Sequence, residues 1–267
     1  AEPKEPTGAV YHQYCTAIPV GTLLAQSWNL DLMKQLGKMV AGEMNEFEVT
    51  LWLAPGMSLH RNPLCGRNFE YYSEDPLLAG MMAAAMTLGV QSVPGCGTTI
   101  KHYACNNQED NRMGSDSILS ERTLREIYLK GFEIAIRNAQ PMAMMTSYNL
   151  INGVHAANSY DICTKAARDE WGFAGAIMTD WTTTTDSTAG ECSAAGCMKA
   201  GNDMVMPGDL RDHASIRQAL EDGALDIREL KRCVYHTVKI ILQSNQYEDA
   251  VSYEAQFESL DHYMTAK

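Results

Sequence analysis

Charged and aromatic side chains lie at or just beyond the ends of four short apolar runs, at 51–54, 99–104, 142–147 and 176–179. These side chains are Arg67, Lys101, His102, Arg112, Tyr148, Asp180 and Trp181. A carboxylate beside an indole, with cations and amides around it, suits a polyhydroxylated ligand, because indole rings stack on sugars and the polar groups bind hydroxyls. Since nearby positive charge lowers a carboxyl pKa, we expect Asp180 to be ionised, as a covalent glycosidase nucleophile must be.

Two of these side chains have plainer alternative roles. Trp181 could simply cap an apolar core. Lys101 could be a surface lysine whose stem lies along apolar neighbours. The methionine-rich run at 141–145 is interpreted as core filling rather than as part of a cofactor site.

The elements that must position these residues alternate between strands and helices. Five compact apolar runs, the four above and 203–206, predict buried parallel strands. Asp75 and Pro76 predict the start of one helix, as N-cap and first helical residue. Periodicity predicts further helices at 30–46, 120–138, 161–171, 216–220 and 227–242.

Strand starts roughly 25 to 50 residues apart are typical of repeated βα units. The sequence has no GxGxxG after a strand and no P-loop, which favours a barrel over a doubly wound nucleotide-binding sheet. We therefore expect an α/β fold, a (β/α)8 TIM-like barrel. Only five of the eight strands are evident in the sequence, so either the apolar pattern misses some strands or the barrel is incomplete.

Composition excludes several classes of function. The 267 residues carry a formal net charge of −12, which argues against nucleic-acid or anionic-membrane binding. Eight cysteines without a CxxC pair indicate reduced thiols and no structural zinc site, and they favour a cytoplasmic (bacterial) location. No metal or organic cofactor is expected.

Five sequence segments together resemble glycoside hydrolase family 3, and most closely its bacterial β-glucosidases. They occur in the family's order and spacing, and the resemblance extends from about Tyr14 to Leu242. The segments are 60–76 (HRNPLCGRNFEYYSEDP), 101–112 (KHYACNNQEDNR), 147–149 (SYN), 178–181 (MTDW) and 200–207 (AGNDMVMP).

The resemblance implies a role for each residue singled out above. Asp180 matches the catalytic nucleophile, and Trp181 would form an aromatic wall. The residues that would bind the non-reducing glucose or hold the nucleophile are Arg67, Lys101, His102, Arg112 and Tyr148. The implied activity is that of a retaining exo-β-glycosidase acting on terminal β-D-glucosyl residues.

The sequence departs from the family pattern in two places. No DGP-type segment precedes Tyr14, so we expect the first barrel strand and its sugar-binding aspartate to be missing. The family's general acid/base usually comes from an α/β sandwich domain, which we expect to lie outside this chain. Glu70, Glu109 and Glu191 are weaker internal candidates, since none matches a known acid position.

These departures leave alternatives open. Within enzymes, the alternative is a β-xylosidase or another exo-glycosidase; in another class, it is a non-catalytic barrel fragment that binds sugar or assembles with a partner domain. The domain reading is a linker remnant at 1–13, the barrel at 14–245 and a C-terminal extension at 246–267. Because a missing strand would expose sheet edges, we also expect a homo-oligomer or domain swap.

Overall fold

The computed structural model describes residues 14–185 and 192–247. Its strands are β1 (Leu51–Trp52), β2 (Gly97–Tyr103), β3 (Asp116–Ser117), β4 (Ala143–Thr146), β5 (Leu150–Ile151), β6 (Val154–His155) and β7 (Ala176–Met178). Its α-helices are α1 (Gly21–Gln26), α2 (Leu30–Glu46), α3 (Pro76–Val90), α4 (Glu121–Thr123), α5 (Lys130–Ala139), α6 (Ala194–Ala200), α7 (Leu210–Glu221) and α8 (Ile227–Gln243). π-Helical segments span Leu124–Tyr128 and Asp161–Glu170, and 3₁₀ turns span Asn68–Glu70 and Ala156–Asn158.

The main sheet is parallel, with strand order β1-β2-β4-β7. Helices follow the strands in sequence, as expected for βα units. The predicted fifth strand at 203–206 is reduced to one parallel bridge between Met178 and Met204, so it extends the sheet without forming a full strand. A smaller sheet, β3-β5-β6, lies apart from this one. The described strands thus form an open, TIM-barrel-like sheet rather than a closed ring.

Side-chain alternation separates the two faces of the sheet. Met144 and Ile177 belong to the large core that includes α2, α3 and α5. Their neighbours Met145 and Met178 point to the other face, where they pack with Ile240 of α8. Because strand side chains alternate with period 2, one short run supplies both cores. The methionine-rich run is therefore core filling, as predicted.

The helices begin where their capping residues predict. Asp75 caps α3, accepting from the backbone N–H groups of Leu77 and Leu78, and Pro76 occupies the first helical position. The predicted helix at 216–220 is longer than expected, because Asp209 and Asp212 form a capping box that starts α7 at Leu210. The predicted helix at 120–138 is divided by the π-helical segment.

Close backbone approach joins α2 to α3. A Cβ on Gly37 would lie 2.5 Å from the carbonyl oxygen of Met86, so glycine is required at this helix crossing.

No helix in the described residues combines the length and apolarity that a membrane crossing requires. The predicted linker at 1–13 and nearly all of the predicted extension at 246–267 lie outside the described residues.

Candidate active site

Lys101 and His102 reach the site through an irregularity in β2. The register with β4 shifts between Ile100 and Tyr103, so three steps along β2 match two steps along β4. Strict alternation would place two consecutive side chains on opposite faces, whereas a bulge re-aims them. Both side chains accordingly face charged groups of the same cluster, Glu70 for Lys101 and Asp180 for His102.

Asp180 lies two residues beyond β7 and is buried, with 6% of its surface exposed. Its Oδ1 accepts the backbone N–H of Trp181 at 2.7 Å, and it is hydrogen-bonded to the Tyr148 side chain. Its Oδ2 lies 3.5 Å from Nε2 of His102. The short bond from the Trp181 N–H, together with Tyr148 and the longer contact to His102, therefore orients this carboxylate.

The expectation that cations would lower the pKa of Asp180 is wrong in its net direction. Burial raises the pKa of this carboxyl above its usual range, because desolvation penalises the charged form. The Trp181 N–H, Tyr148, Arg67 and Lys101 oppose the shift without cancelling it. The cations near Asp180 do act to lower its pKa, as the sequence predicts, but the sequence does not show that the carboxyl is buried.

His102 is a neutral imidazole in this site. Burial, together with the charges of Arg67, Lys101 and Arg112, holds its pKa well below its usual value. Its contact with Asp180 has the geometry of a weak ion pair, yet the imidazole carries no charge to form one. The 3.5 Å contact is therefore a long polar contact rather than a salt bridge.

Glu70 joins two of the predicted sugar ligands. It accepts a hydrogen bond from Nε of Arg67, and its other oxygen lies 3.9 Å from Nζ of Lys101. Burial lowers the pKa of Lys101, Arg67 adds to the effect and Glu70 opposes it. From the sequence, Glu70 was expected only as a possible acid, whereas in the structure it is the partner of both cations.

Arg112 packs on Tyr148, which is hydrogen-bonded to Asp180. The Arg112 guanidinium lies 4.6 Å from the centroid of the Tyr148 ring, a cation–π contact. Glu109 accepts from Arg112 at 2.8 Å and from Asn106 at 3.1 Å. Burial, and next the charge of Asp180, raise the pKa of Tyr148, so its hydroxyl stays protonated and available as a donor.

The side chains of two further residues singled out from the sequence, Trp181 and Glu191, are not among the contacts described above. Trp181 is 51% exposed, so its indole does not cap a core and is free to stack on a ligand. Glu191 lies outside the described residues. Across 14–185 and 192–247, no group of His, Cys, Asp and Glu is arranged to hold a metal ion.

Two functional candidates were missed by the sequence analysis, Tyr71 and Asn106. Tyr71 is fully buried, and its hydroxyl lies 3.1 Å from Nδ1 of His102 and 2.9 Å from Nδ2 of Asn106. No local signal distinguishes Tyr71 from the adjacent Tyr72, which packs in the hydrophobic core. Asn106 lies in a run of polar residues that gives no indication which of them turns inward.

The fold and the site together define a TIM-barrel-like α/β domain with a buried carboxylate, cations and an exposed indole at the strand ends. The glycosyl hydrolase family 3 N-terminal domain matches residues 5–240. The chain therefore belongs to glycoside hydrolase family 3.

Two curated relatives illustrate this membership. Beta-glucosidase A of Butyrivibrio fibrisolvens is 51% identical over 166 residues, covering 62% of this chain and 20% of that protein. The exo-alpha-(1->6)-L-arabinopyranosidase of Bifidobacterium breve is 41% identical over 226 residues, covering 85% of this chain and 29% of that protein. The chain thus spans less than a third of either relative's length.

The fold agrees with a solved family member. The structure of beta-glucosidase 3B from Thermotoga neapolitana in complex with glucose matches with a TM-score of 0.90 and 41% identity. The match covers all of this chain and 37% of that protein.

Proposed function

We propose that this chain is the nucleophile-bearing barrel of a retaining exo-β-glucosidase acting on terminal, non-reducing β-D-glucosyl residues. The observation that carries the proposal is the setting of Asp180. This buried carboxylate is oriented by the Trp181 N–H and by Tyr148, with further charged groups nearby. The relatives named beta-glucosidase support glucose as the sugar.

In this mechanism Asp180 attacks the anomeric carbon while the glycosidic bond breaks, giving a glycosyl–enzyme ester. An acid protonates the departing oxygen and later, as a base, takes a proton from the water that hydrolyses the ester. The two carboxyl groups of a retaining enzyme lie about 5 to 5.5 Å apart. Glu70 and Glu109 are each held by an arginine, which supports an acid supplied by a domain outside this chain.

The surrounding side chains bind the sugar in this proposal. Arg67, Lys101 and neutral His102 donate to hydroxyls, and Trp181 stacks on the C–H face of the ring. Arg112 supports Tyr148 beside the nucleophile through their cation–π contact.

The test is covalent labelling with a 2-deoxy-2-fluoroglucosyl probe that carries a good leaving group. Such a probe needs little acid assistance, so it examines the barrel site alone. We expect one adduct, mapped to the peptide containing Asp180 and absent from Asp180→Asn. Asp110→Asn, in an exposed loop, is the matched control and should label normally. A folded wild-type chain without an adduct would refute the proposal.

Two alternatives give different results in the same experiment. Because one relative is named an arabinopyranosidase, arabinosyl and xylosyl probes should be compared with the glucosyl probe; faster labelling by either would change the sugar assigned. A non-catalytic module would bind a glucose mimic in calorimetry, with binding dependent on Lys101 and Asp180, yet form no adduct.

We also propose that the chain self-associates through the outer edge of β1. That edge has no paired strand among the described residues, and unpaired edges template further pairing. Sedimentation velocity should show a dimer or larger species. A monomer at all concentrations would refute this proposal.

A further inference from the structure

Two buried side chains that are not among the proposed sugar ligands, Tyr71 and Asn106, form a chain of hydrogen bonds that leads to His102. The hydroxyl of Tyr71 lies 3.1 Å from Nδ1 of His102. Asn106 donates from Nδ2 to the same hydroxyl at 2.9 Å. All three residues are at most 2% exposed, so water does not compete for these bonds. The series ends at Asp180, 3.5 Å from Nε2 of His102.

Glu109 fixes the orientation of the Asn106 amide. Nδ2 of Asn106 also donates to Oε1 of Glu109 at 3.1 Å, while Arg112 donates to Oε2 at 2.8 Å. A flipped amide would turn Oδ1 of Asn106 toward this carboxylate, where two acceptors would face each other. The observed orientation is held even though Oδ1 is buried without a hydrogen-bond partner among the described residues.

The amide orientation sets the direction of the remaining hydrogen bonds. Since the Tyr71 oxygen accepts from Asn106, its own proton is free to be donated to Nδ1 of His102. Ser58 also hydrogen-bonds to this hydroxyl, but an imidazole nitrogen is a stronger acceptor than a serine oxygen. A neutral imidazole that accepts at Nδ1 carries its proton on Nε2.

We propose that Tyr71 and Asn106 are positioning residues that hold His102 in the Nε2–H tautomer, with its donor facing Oδ2 of Asp180 and the bound sugar. The opposite tautomer would present a lone pair to the carboxylate and would repel it. Burial and the charges of Arg67, Lys101 and Arg112 keep the imidazole neutral, so its tautomer rather than its charge decides the contact. The catalytic consequence rests on the proposed function, whereas the tautomer does not.

The tautomer can be read from the imidazole nitrogen shifts of ¹⁵N-labelled protein by long-range proton–nitrogen correlation. Wild type should show His102 as the Nε2–H form. Tyr71→Phe keeps the ring and removes the oxygen, so this preference should weaken to a mixture. Tyr72→Phe is the matched control: it removes a neighbouring buried hydroxyl that packs in the core and is not bonded to His102. A wild-type Nδ1–H form, or unchanged shifts in Tyr71→Phe, would overturn the inference.

A second variant tests the role of Asn106, should Tyr71→Phe fold poorly. Asn106→Leu has a similar volume and removes the amide donor, so the Tyr71 hydroxyl is no longer held as an acceptor and can either donate to Nδ1 of His102 or accept from it. The expected result is a mixture of the two tautomers. Retention of the pure Nε2–H form in this folded variant would contradict the proposed direction of the bonds.

Labelling by the fluoroglucosyl probe tests the catalytic consequence. Tyr71→Phe should label about tenfold more slowly than Tyr72→Phe, equivalent to about 1.4 kcal/mol and close to one hydrogen bond to a charged group. Equal rates would refute the positioning role. If wild type forms no adduct, the proposed function fails, while the nitrogen shifts still decide the assignment of Tyr71.

Discussion

Replacing Asp203 with Asn should strongly lower the folding stability, because Asp203 holds the strand that leads to the active site. The Asp203 side chain is fully buried, and its Oδ2 accepts from Arg168 at 2.6 Å and from the backbone N–H of Ile177 at 2.7 Å. His236 contacts Oδ1 at 2.9 Å. Ile177 lies in β7, which leads to Asp180, so this carboxylate anchors the strand that carries the proposed nucleophile.

The size of the effect follows from burial. Arg168 is only 8% exposed at its side chain, and Asp203→Asn would leave its charge buried without a counter-charge. Removing one partner of a buried ion pair costs about 3 to 5 kcal/mol, a large part of a typical folding stability of about 5 to 15 kcal/mol. With a urea dependence of about 3 kcal/mol per molar, the unfolding midpoint should fall by about 1 to 1.7 M.

Urea unfolding followed by circular dichroism measures this shift. Glu126→Gln is the control, because its pair with Arg122 is exposed and should change stability by less than about 1 kcal/mol. The double variant Arg168→Met, Asp203→Asn should recover part of the loss, since it removes the unpaired charge while the side-chain oxygen of the introduced asparagine can still accept the N–H of Ile177. An Asp203→Asn midpoint equal to that of Glu126→Gln would refute the reasoning.

Three further predictions follow from burial and close packing. Asp180→Asn should be more stable than wild type at pH 7. The raised pKa of Asp180 contributes stability that is fully present below about pH 3.8 and is lost as the pH rises through the pKa of the folded state. Urea unfolding should therefore show the stability difference shrinking toward pH 4, and a constant difference would contradict this. The NMR signals of the His102 imidazole should not titrate between pH 8 and pH 6. The free energy of unfolding should decrease as the pH falls below 6.5, by at most about 1.4 kcal/mol per pH unit, because the unfolded chain takes up this proton first. Gly37→Ala should destabilise by about 1 to 3 kcal/mol despite alanine's higher helix propensity, since its Cβ would lie 2.5 Å from the carbonyl oxygen of Met86 in α3. In Gly131→Ala the Cβ would lie 3.2 Å from Cε of Met57 and 3.3 Å from the carbonyl oxygen of Pro76, so this control should cost less; similar thermal midpoints would argue against a close helix crossing.

Local patterns in the sequence were sufficient for most of the secondary structure. Compact apolar runs predicted β1, β2, β4 and β7 because a buried parallel strand needs apolar side chains on both faces. Asp75 and Pro76 predicted the start of α3 because capping depends on adjacent residues. The run at 203–206 formed only one bridge, since strand pairing also requires a neighbour in register.

The residue set of the candidate site was also accessible from the sequence. Asp180, Lys101 and His102 lie at strand ends, and parallel strands bring such ends to one edge of the sheet. The family motifs then implied a role for each, and those roles stay predictions.

Only the tertiary structure decided how these groups act on one another. Burial, which no local pattern reports, reversed the expected pKa shift of Asp180 and keeps His102 neutral. Glu70 became the partner of Lys101, and Tyr71 rather than Tyr72 became the partner of His102, through contacts between distant segments. The sequence by itself determined which chemical groups are present and which elements carry them. Their charge and orientation depend on desolvation and on the identity of each neighbour, which exist only once the chain is folded.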